Sequence, residues 1–143
     1  MTERMTAQQY REQYVEPKAV SSARILISVM PPSANGLRKS FIQDGKVVSV
    51  KSKGYADWRK AAVDQIKSQC VDKISGPYRL SIVAQRNWCS KRARDIDNVI
   101  KPISDALVKA GVVQDDSLAE CVTARWADDL QGHAVVIDVE VCR

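Results

Sequence analysis

The chain has 143 residues, of which 45% are hydrophobic and 27% are charged, as expected for one globular domain with a buried core. No apolar run approaches the roughly 20 residues that span a bilayer, and the N-terminus lacks the apolar core of a signal peptide, so we expect a cytoplasmic protein without membrane contact. The net charge of +5 at pH 7 is compatible with a nucleic-acid partner but does not establish one.

The N-terminal part of the chain predicts an extension, a strand and a hairpin. Residues 1–22 are polar, and we expect them to form a partly disordered N-terminal extension ahead of a domain over residues 23–143. Alternating β-branched residues predict a strand over residues 24–30. Residues 38–50 read as a hairpin, because the Asp-Gly pair at 44–45 suits the positive φ angles of a tight turn.

The middle of the chain predicts a helix followed by a central strand. Tyr55 and Trp58 recur at helical spacing with other apolar residues over 54–70, which predicts an amphipathic helix packed on a sheet. We assign Trp58 to the core, and stacking on nucleic-acid bases is the alternative for these aromatic side chains. Residues 78–86 then read as the central strand of the sheet.

The C-terminal part predicts a second helix and two further strands. The helix covers about residues 98–110 and ends at Gly111, which is a natural C-terminal stop. Residues 118–126 and 133–142 are predicted to form an antiparallel pair. The whole order predicts a single α+β domain in which two main helices pack on a mixed β-sheet.

Soft metal ligands are few and scattered. The chain has four cysteines without a C-x-x-C pair and one histidine. We therefore expect no zinc site and no disulfide framework, and we expect reduced, mostly buried thiols. Histidine-based acid–base chemistry is also disfavoured. These residues are Cys70, Cys89, Cys121, Cys142 and His133.

Two acidic pairs flank the second helix. Asp95 and Asp97 would face the same way on an extended segment. The chain after the helix would have to double back to bring Asp116, of the second pair Asp115-Asp116, beside Asp95. Carboxylates without histidine suit Mg²⁺ or Mn²⁺ better than zinc. Lys101 could steady negative charge on a phosphate. From spacing alone the alternative stays open that the acids only cap a helix and form a solvated turn.

Basic residues surround these acids. Setting the four aspartates aside raises the net charge from +5 to +9, a combination that suits a metal-dependent nuclease. We predict DNA contacts for two basic groups, although a solvated surface is the ordinary role of any single lysine. These residues are Lys51, Lys53, Arg86, Lys91, Arg92 and Arg94.

The stretch RDIDNVIKPISDALVKAGVVQDDS, residues 94–117, resembles the signature of the RusA-type Holliday junction resolvases, which are phage-borne endonucleases. PPSAN, at Pro31 to Asn35, is similar to a second block of that family, and the four residues from Tyr55 to Trp58 are similar to a third. The resemblance extends over roughly residues 24–142. It is carried mainly by the long block, because the two short blocks are less specific.

The resemblance implies a homodimeric, Mg²⁺-dependent endonuclease that nicks four-way DNA junctions in recombination and repair, with Mn²⁺ as a substitute. By the same resemblance, Asp95, Asp97 and Asp116 are the metal-binding and catalytic acids, and Lys101 is the essential lysine. Asp115 matches the first acid of the closing pair, and its part in metal binding is left open. A two-fold symmetric junction also favours a homodimer with two equivalent sites.

Alternatives concern both the activity and the dimer. The chain could be a non-catalytic or degenerate prophage protein that binds branched DNA, or a nuclease for flaps or mismatched duplex. For the dimer surface, the apolar residues Val135, Ile137 and Val139 could form an exposed sheet face or edge, with a plain core role as the favoured alternative.

Overall fold

The computed structural model describes residues 22–32, 38–88 and 95–142. Apart from Ser22, the N-terminal extension lies outside these ranges. In chain order the described residues form β1 (Ser22–Ile27), β2 (Arg38–Gln43), β3 (Lys46–Lys51), α1 (Lys53–Ser68), β4 (Tyr78–Gln85), a first 3₁₀ helix (Ile96–Val99), α2 (Ile100–Lys109), a second 3₁₀ helix (Asp116–Leu118), β5 (Ala119–Ala127) and β6 (Val135–Val141).

The main sheet has four strands in the order β1-β6-β4-β5. β6 runs antiparallel to both β1 and β4, whereas β5 runs parallel to β4. The sheet is therefore mixed and β4 lies in its interior, as the sequence predicts. With α1 and α2 packed on the sheet, the protein has the predicted α+β fold.

The predicted antiparallel pairing of the last two strands is wrong, because β4 lies between β5 and β6. β5 follows β4 through α2, and a strand–helix–strand crossover joins parallel neighbours. β6 takes an interior place because its alternate residues Val135, Ile137 and Val139 are fully buried. β5 is largely exposed along its length and forms an edge of the sheet.

The core lies between one face of the sheet and the two helices. Ile25, Ile137 and Ile82 are in register across β1, β6 and β4, and each is at most 1% exposed. They belong to the same buried cluster as Ile66 of α1 and Leu107 of α2. Since the apolar residues of β6 are covered by the chain itself, their core role is confirmed and they do not form an exposed dimer surface.

The aromatic residues of α1 are also in the core. Trp58 is 7% exposed and its indole N–H donates a hydrogen bond to the carbonyl oxygen of Val29 at 3.1 Å. Tyr55 is only 2% exposed. The core assignment of Trp58 is confirmed, and burial leaves neither ring available to stack on a base.

The hairpin β2–β3 forms a separate two-stranded sheet. Asp44 and Gly45 have φ angles of 52° and 75°, so both turn residues are in the left-handed region, as the Asp-Gly pair predicts. Ile42 and Val47 are cross-strand partners next to this turn, and each is 77% exposed.

The prediction of mostly buried thiols is wrong for the three cysteines that the structure describes. Cys70 and Cys121 are exposed and Cys142 is half-buried; Cys89 lies outside the described residues. Cys70 lies in the turn that ends α1, and Cys121 lies on the edge strand β5, where it belongs to a run of exposed residues. Neither of the two described α-helices is long and apolar enough to cross a membrane.

Candidate active site

The first acidic pair lies at the start of the first 3₁₀ helix. Asp95 occupies the N-cap position with extended φ and ψ angles of −78° and 133°, whereas Asp97 lies within the helix. The expectation that Asp95 and Asp97 both lie on an extended segment and face the same way is therefore wrong, because Asp97 is helical. Both residues are exposed, and the Asp95 carboxylate makes no capping hydrogen bond. Asp95 therefore does not cap the helix with its side chain, and its carboxylate oxygens remain accessible.

Lys101 lies in the first turn of α2. Pro102 follows it at a position whose N–H would have no partner within the helix, so the proline is tolerated there. The Lys101 ammonium donates a hydrogen bond to Oδ1 of Asp105, one turn later, at 3.0 Å. This bond raises the pKa of Lys101 above its usual value. The lysine is therefore held on the helix surface as a cation.

The end of α2 reverses the chain. Gly111 has a φ of +81°, its N–H donates to the Val108 carbonyl at 3.0 Å, and the Val112 N–H donates to the Leu107 carbonyl at 3.0 Å. These two bonds are those of a Schellman motif, in which a glycine terminates the helix. Val112 and Leu107 are both buried, which anchors the reversal in the core. The predicted doubling back follows from this motif, and it brings Asp116 to the lysine in the first turn of α2.

The two acids of the closing pair have different surroundings. An oxygen of the Asp116 carboxylate lies 3.6 Å from the Lys101 ammonium. The Asp115 side chain instead accepts a hydrogen bond from the Ser117 backbone N–H at 3.1 Å and caps the second 3₁₀ helix. This bond is the main reason that the pKa of Asp115 is lowered. Asp115, whose role the sequence left open, therefore has a structural function as a helix cap. Of the closing pair, Asp116 is the acid that faces the lysine.

Tyr55 and Asp105 contribute to this site, although neither was predicted as a site residue from the sequence. The Tyr55 hydroxyl donates a hydrogen bond to Oδ2 of Asp105 at 2.6 Å. Burial and this bond raise the pKa of the Tyr55 phenol far above its usual value. The i,i+4 spacing of Lys101 and Asp105 could have indicated that Asp105 pairs with the lysine. Tyr55 belongs to one of the short blocks that resemble the family, but no local signal pairs it with Asp105, which lies 50 residues later.

A shallow cleft of about 280 Å³ adjoins the closing acidic pair. Its walls carry cations as well as acids: Arg59 from α1 and Lys109 from α2 line it, and neither was predicted. Arg59 also lies over the Tyr55 ring, with its guanidinium carbon 5.7 Å from the ring centre. The residues that line the cleft are Arg59, Asp105, Val108, Lys109, Asp115 and Asp116. Cations beside carboxylates suit a site that receives a phosphate close to a metal.

The donor chemistry of the predicted ligands fits a hard divalent cation. Asp95, Asp97 and Asp116 offer carboxylate oxygens only, which is the ligand type that Mg²⁺ prefers. All three are exposed. Within residues 22–32, 38–88 and 95–142, no three His, Cys, Asp or Glu side chains are grouped closely enough to hold a metal ion. The structure therefore joins Asp116 to Lys101, and it does not bring the three carboxylates together.

The predicted DNA-binding residues are described only in part. Lys53 is the first residue of α1 and is exposed. The Arg86 guanidinium forms an exposed ion pair with Asp128 at 3.0 Å, so one of its donors is engaged by the protein itself. The other predicted contacts lie outside the described part of the chain, which includes only the backbone of the first of them. These are the Lys51 side chain, Lys91, Arg92 and Arg94.

Comparison with known families places this site in context. A family model for the endodeoxyribonuclease RusA matches residues 30–140, a span that contains both acidic pairs and Lys101. The chain belongs to the RusA endodeoxyribonuclease family. Among individually curated proteins, none matches the chain. The resemblance of the sequence to RusA-type enzymes is thereby confirmed, and the domain that carries the site is that of an endodeoxyribonuclease.

Proposed function

We propose that this protein is a Mg²⁺-dependent endonuclease that resolves four-way (Holliday) DNA junctions by paired symmetric nicks in recombination and repair. The observation that carries the proposal is the RusA family match over residues 30–140. Two features of the described residues support it. Lys101 and Asp116 lie side by side although a helix and a reversal of the chain separate them, and the adjoining cleft contains cations.

Each acid has a proposed role. Asp95, Asp97 and Asp116 would hold Mg²⁺, or Mn²⁺ in its place, through their carboxylate oxygens. The bound ion would lower the pKa of a water molecule and stabilise charge on the scissile phosphate. The free carboxylate at the N-cap position of Asp95 and the exposure of Asp97 support this assignment. Asp115 is assigned to the turn that presents Asp116, because its carboxylate is committed to the Ser117 N–H.

Lys101 would act on the substrate phosphate. Its ammonium lies beside a proposed metal ligand, where it can donate to a non-bridging phosphate oxygen. A fixed positive charge at that point stabilises the extra negative charge that develops when a nucleophile attacks phosphorus. Half or more of the side chain is exposed, which leaves donors available for the substrate.

The path of the DNA is assigned from charge. Arg59 and Lys109 line the cleft next to Asp116, and we assign them to phosphates close to the nicked bond. The cations predicted from the sequence would bind the arms of the junction by phosphate neutralisation. They are Lys51, Lys53, Arg86, Lys91, Arg92 and Arg94.

A homodimer completes the proposal. A four-way junction has two-fold symmetry, and its resolution requires nicks at two symmetry-related phosphates. A dimer with the same symmetry presents two equivalent sites to those phosphates. One protomer alone would nick a single strand at each encounter.

The test is a side-by-side cleavage assay on a four-way junction, a flap, a mismatched duplex and a linear duplex. In Mg²⁺ we expect preferential nicking of the four-way junction at two symmetric positions. Asp116→Asn should bind the junction without nicking it, whereas Asp64→Asn, at an exposed position of α1, should behave as wild type. Junction binding without nicking by wild type would favour the non-catalytic alternative, and preferential cleavage of flaps or mismatches would reassign the substrate.

A further inference from the structure

We infer that Tyr55 and Asp105 are positioning residues for Lys101, and that a hydrogen-bonded chain from the Tyr55 hydroxyl through the Asp105 carboxylate fixes the ammonium at the reaction site. The inference rests on the proposed function for the role of Lys101. The chain of contacts itself is independent of that role. Its links are 2.6 Å from Tyr55 Oη to Asp105 Oδ2 and 3.0 Å from Lys101 Nζ to Asp105 Oδ1.

The two oxygens of Asp105 are divided between two donors. Oδ2 accepts from Tyr55 and Oδ1 accepts from Lys101, so rotation of the carboxylate would break both bonds. The Asp105 side chain is 27% exposed, whereas that of Lys101 is 59% exposed. A partly buried, doubly bonded carboxylate thus holds the ammonium of a long and otherwise exposed side chain. Bonds of this kind to charged groups are short and strong.

Tyr55 is a rigid anchor for this chain of contacts. Its backbone N–H donates to the Ser52 hydroxyl at 3.1 Å, which caps the N-terminus of α1. Its ring packs edge-on against Trp58, with ring centres 6.3 Å apart and planes at 74°. Tyr55 is 2% exposed, so the surrounding core restricts movement of its ring and hydroxyl. The position of the lysine is therefore set from the core of the protein.

Asp105 is a better positioning group for Lys101 than Asp116 is. The ammonium is 3.0 Å from Asp105 and 3.6 Å from Asp116. Asp116 is also a proposed metal ligand, and oxygens committed to a metal attract a nearby ammonium less strongly. Asp105 keeps its contact with Lys101 in either case.

A purely structural reading of the same bond makes a different prediction. The Tyr55–Asp105 bond joins α1 to α2, and it could serve only to hold the two helices together. In that case its removal would lower the stability of the fold and leave the turnover of folded enzyme unchanged. A positioning role instead predicts a fall in kcat with unchanged KM and unchanged junction affinity.

The kinetic test uses Tyr55→Phe and Asp105→Asn in the full chain, two variants that keep the shape of each side chain. With the four-way junction and Mg²⁺ we expect Asp105→Asn to lower kcat by about 10- to 100-fold, as loss of a group that orients a catalytic residue does. Tyr55→Phe should lower kcat by a smaller factor in the same direction. The double variant should fall less than the product of the two, because both changes break one chain of contacts.

A second measurement reports on the lysine without catalysis. ¹⁵N relaxation of the lysine ammonium groups, in metal-free protein, gives the order parameter of Lys101, assigned with Lys101→Arg. We expect the order parameter to fall in Asp105→Asn and in Tyr55→Phe, while Lys67, at the end of α1, stays as in wild type.

The two measurements separate the inference from the proposed function. If wild type nicks no branched DNA, the proposed function fails, and the order parameter alone decides whether Asp105 and Tyr55 hold Lys101. If wild type nicks the junction, an unchanged kcat in folded Asp105→Asn overturns the inference while the proposed function stands. An unchanged Lys101 order parameter in both variants also overturns it, whatever the kinetics.

Discussion

The Asp116 carboxylate lies 3.6 Å from the Lys101 ammonium. The two residues are at opposite ends of a segment that contains most of α2 and a reversal of the chain. The contact depends on the Schellman motif at Gly111, which ends the helix and sends the chain back along it. Local backbone geometry therefore determines whether the acid meets the lysine. This dependence can be tested separately from the chemistry of the two groups.

A matched pair of glycine substitutions tests it. Gly111→Ala places a side chain at a φ of +81° and should lower the free energy of unfolding by about 1 to 2 kcal/mol. It should also slow nicking, because Asp116 is displaced. Gly54→Ala, in the first turn of α1 with open space around the new methyl group, should raise stability by about 0.5 to 1 kcal/mol. Urea unfolding measures both, and equal effects of the two substitutions would contradict the assignment of the motif.

The closing pair should divide its functions between structure and chemistry. Asp116→Asn should reduce nicking by about 100-fold or more, the scale expected for loss of a group that stabilises the transition state, with the melting temperature little changed. Asp115→Asn keeps an oxygen that can accept from Ser117, so it should retain most of the activity. Single-turnover nicking and thermal unfolding of the two variants provide the comparison. Loss of activity in Asp115→Asn alone would exchange the two roles.

The basic residues before the first acidic pair should contribute to junction affinity. Charge reversal of Arg92 and Arg94 should weaken binding and reduce the salt slope of log Kd by about 1 for each phosphate that the protein no longer neutralises. Lys67→Glu is the control, because Lys67 lies in the last turn of α1, at the opposite end of that helix from the predicted DNA contact Lys53. Binding titrations at several salt concentrations in the absence of Mg²⁺ measure the effect. An equally large effect of the control substitution would mean that these arginines act only through the net charge of the protein and make no specific phosphate contact.

Stability at high pH should depend on Tyr55. Burial and the bond to Asp105 raise the pKa of its phenol above the usual 10.0. Above pH 10 the unfolded chain therefore binds fewer protons than the folded chain at this group, and stability falls as the pH rises. Below pH 10 the stabilisation by the neutral phenol is fully present. The stability advantage of wild type over Tyr55→Phe should thus shrink as the pH rises above about 10 in urea unfolding, and a constant advantage would contradict the raised pKa.

Local signals in the sequence predicted local structure well. The Asp44-Gly45 turn and the end of α2 at Gly111 both follow from backbone conformations that few residue types adopt. Helical periodicity located α1 and assigned Trp58 to the core. The acidic pairs and the lysine were identified by the family signature, because spacing alone is ambiguous between a metal site and a set of caps.

Long-range relationships could not be predicted in the same way. The pairing of β4 with both β5 and β6 is decided by which strands bury the most apolar surface, and adjacency along the chain suggested the wrong pair. The bond from Tyr55 to Asp105 joins two helices and leaves no periodic trace. The exposure of Cys121 follows from the edge position of β5, which is known only once the strand order is known.

The most direct test of the central claim is cleavage of a doubly labelled four-way junction by wild type and Asp97→Asn. Wild type with Mg²⁺ should nick two symmetry-related strands, and removal of the ion with a chelator should abolish the nicks. Asp97→Asn should bind the junction with the affinity of wild type and leave it intact. Full cleavage by Asp97→Asn in Mg²⁺ would contradict the account.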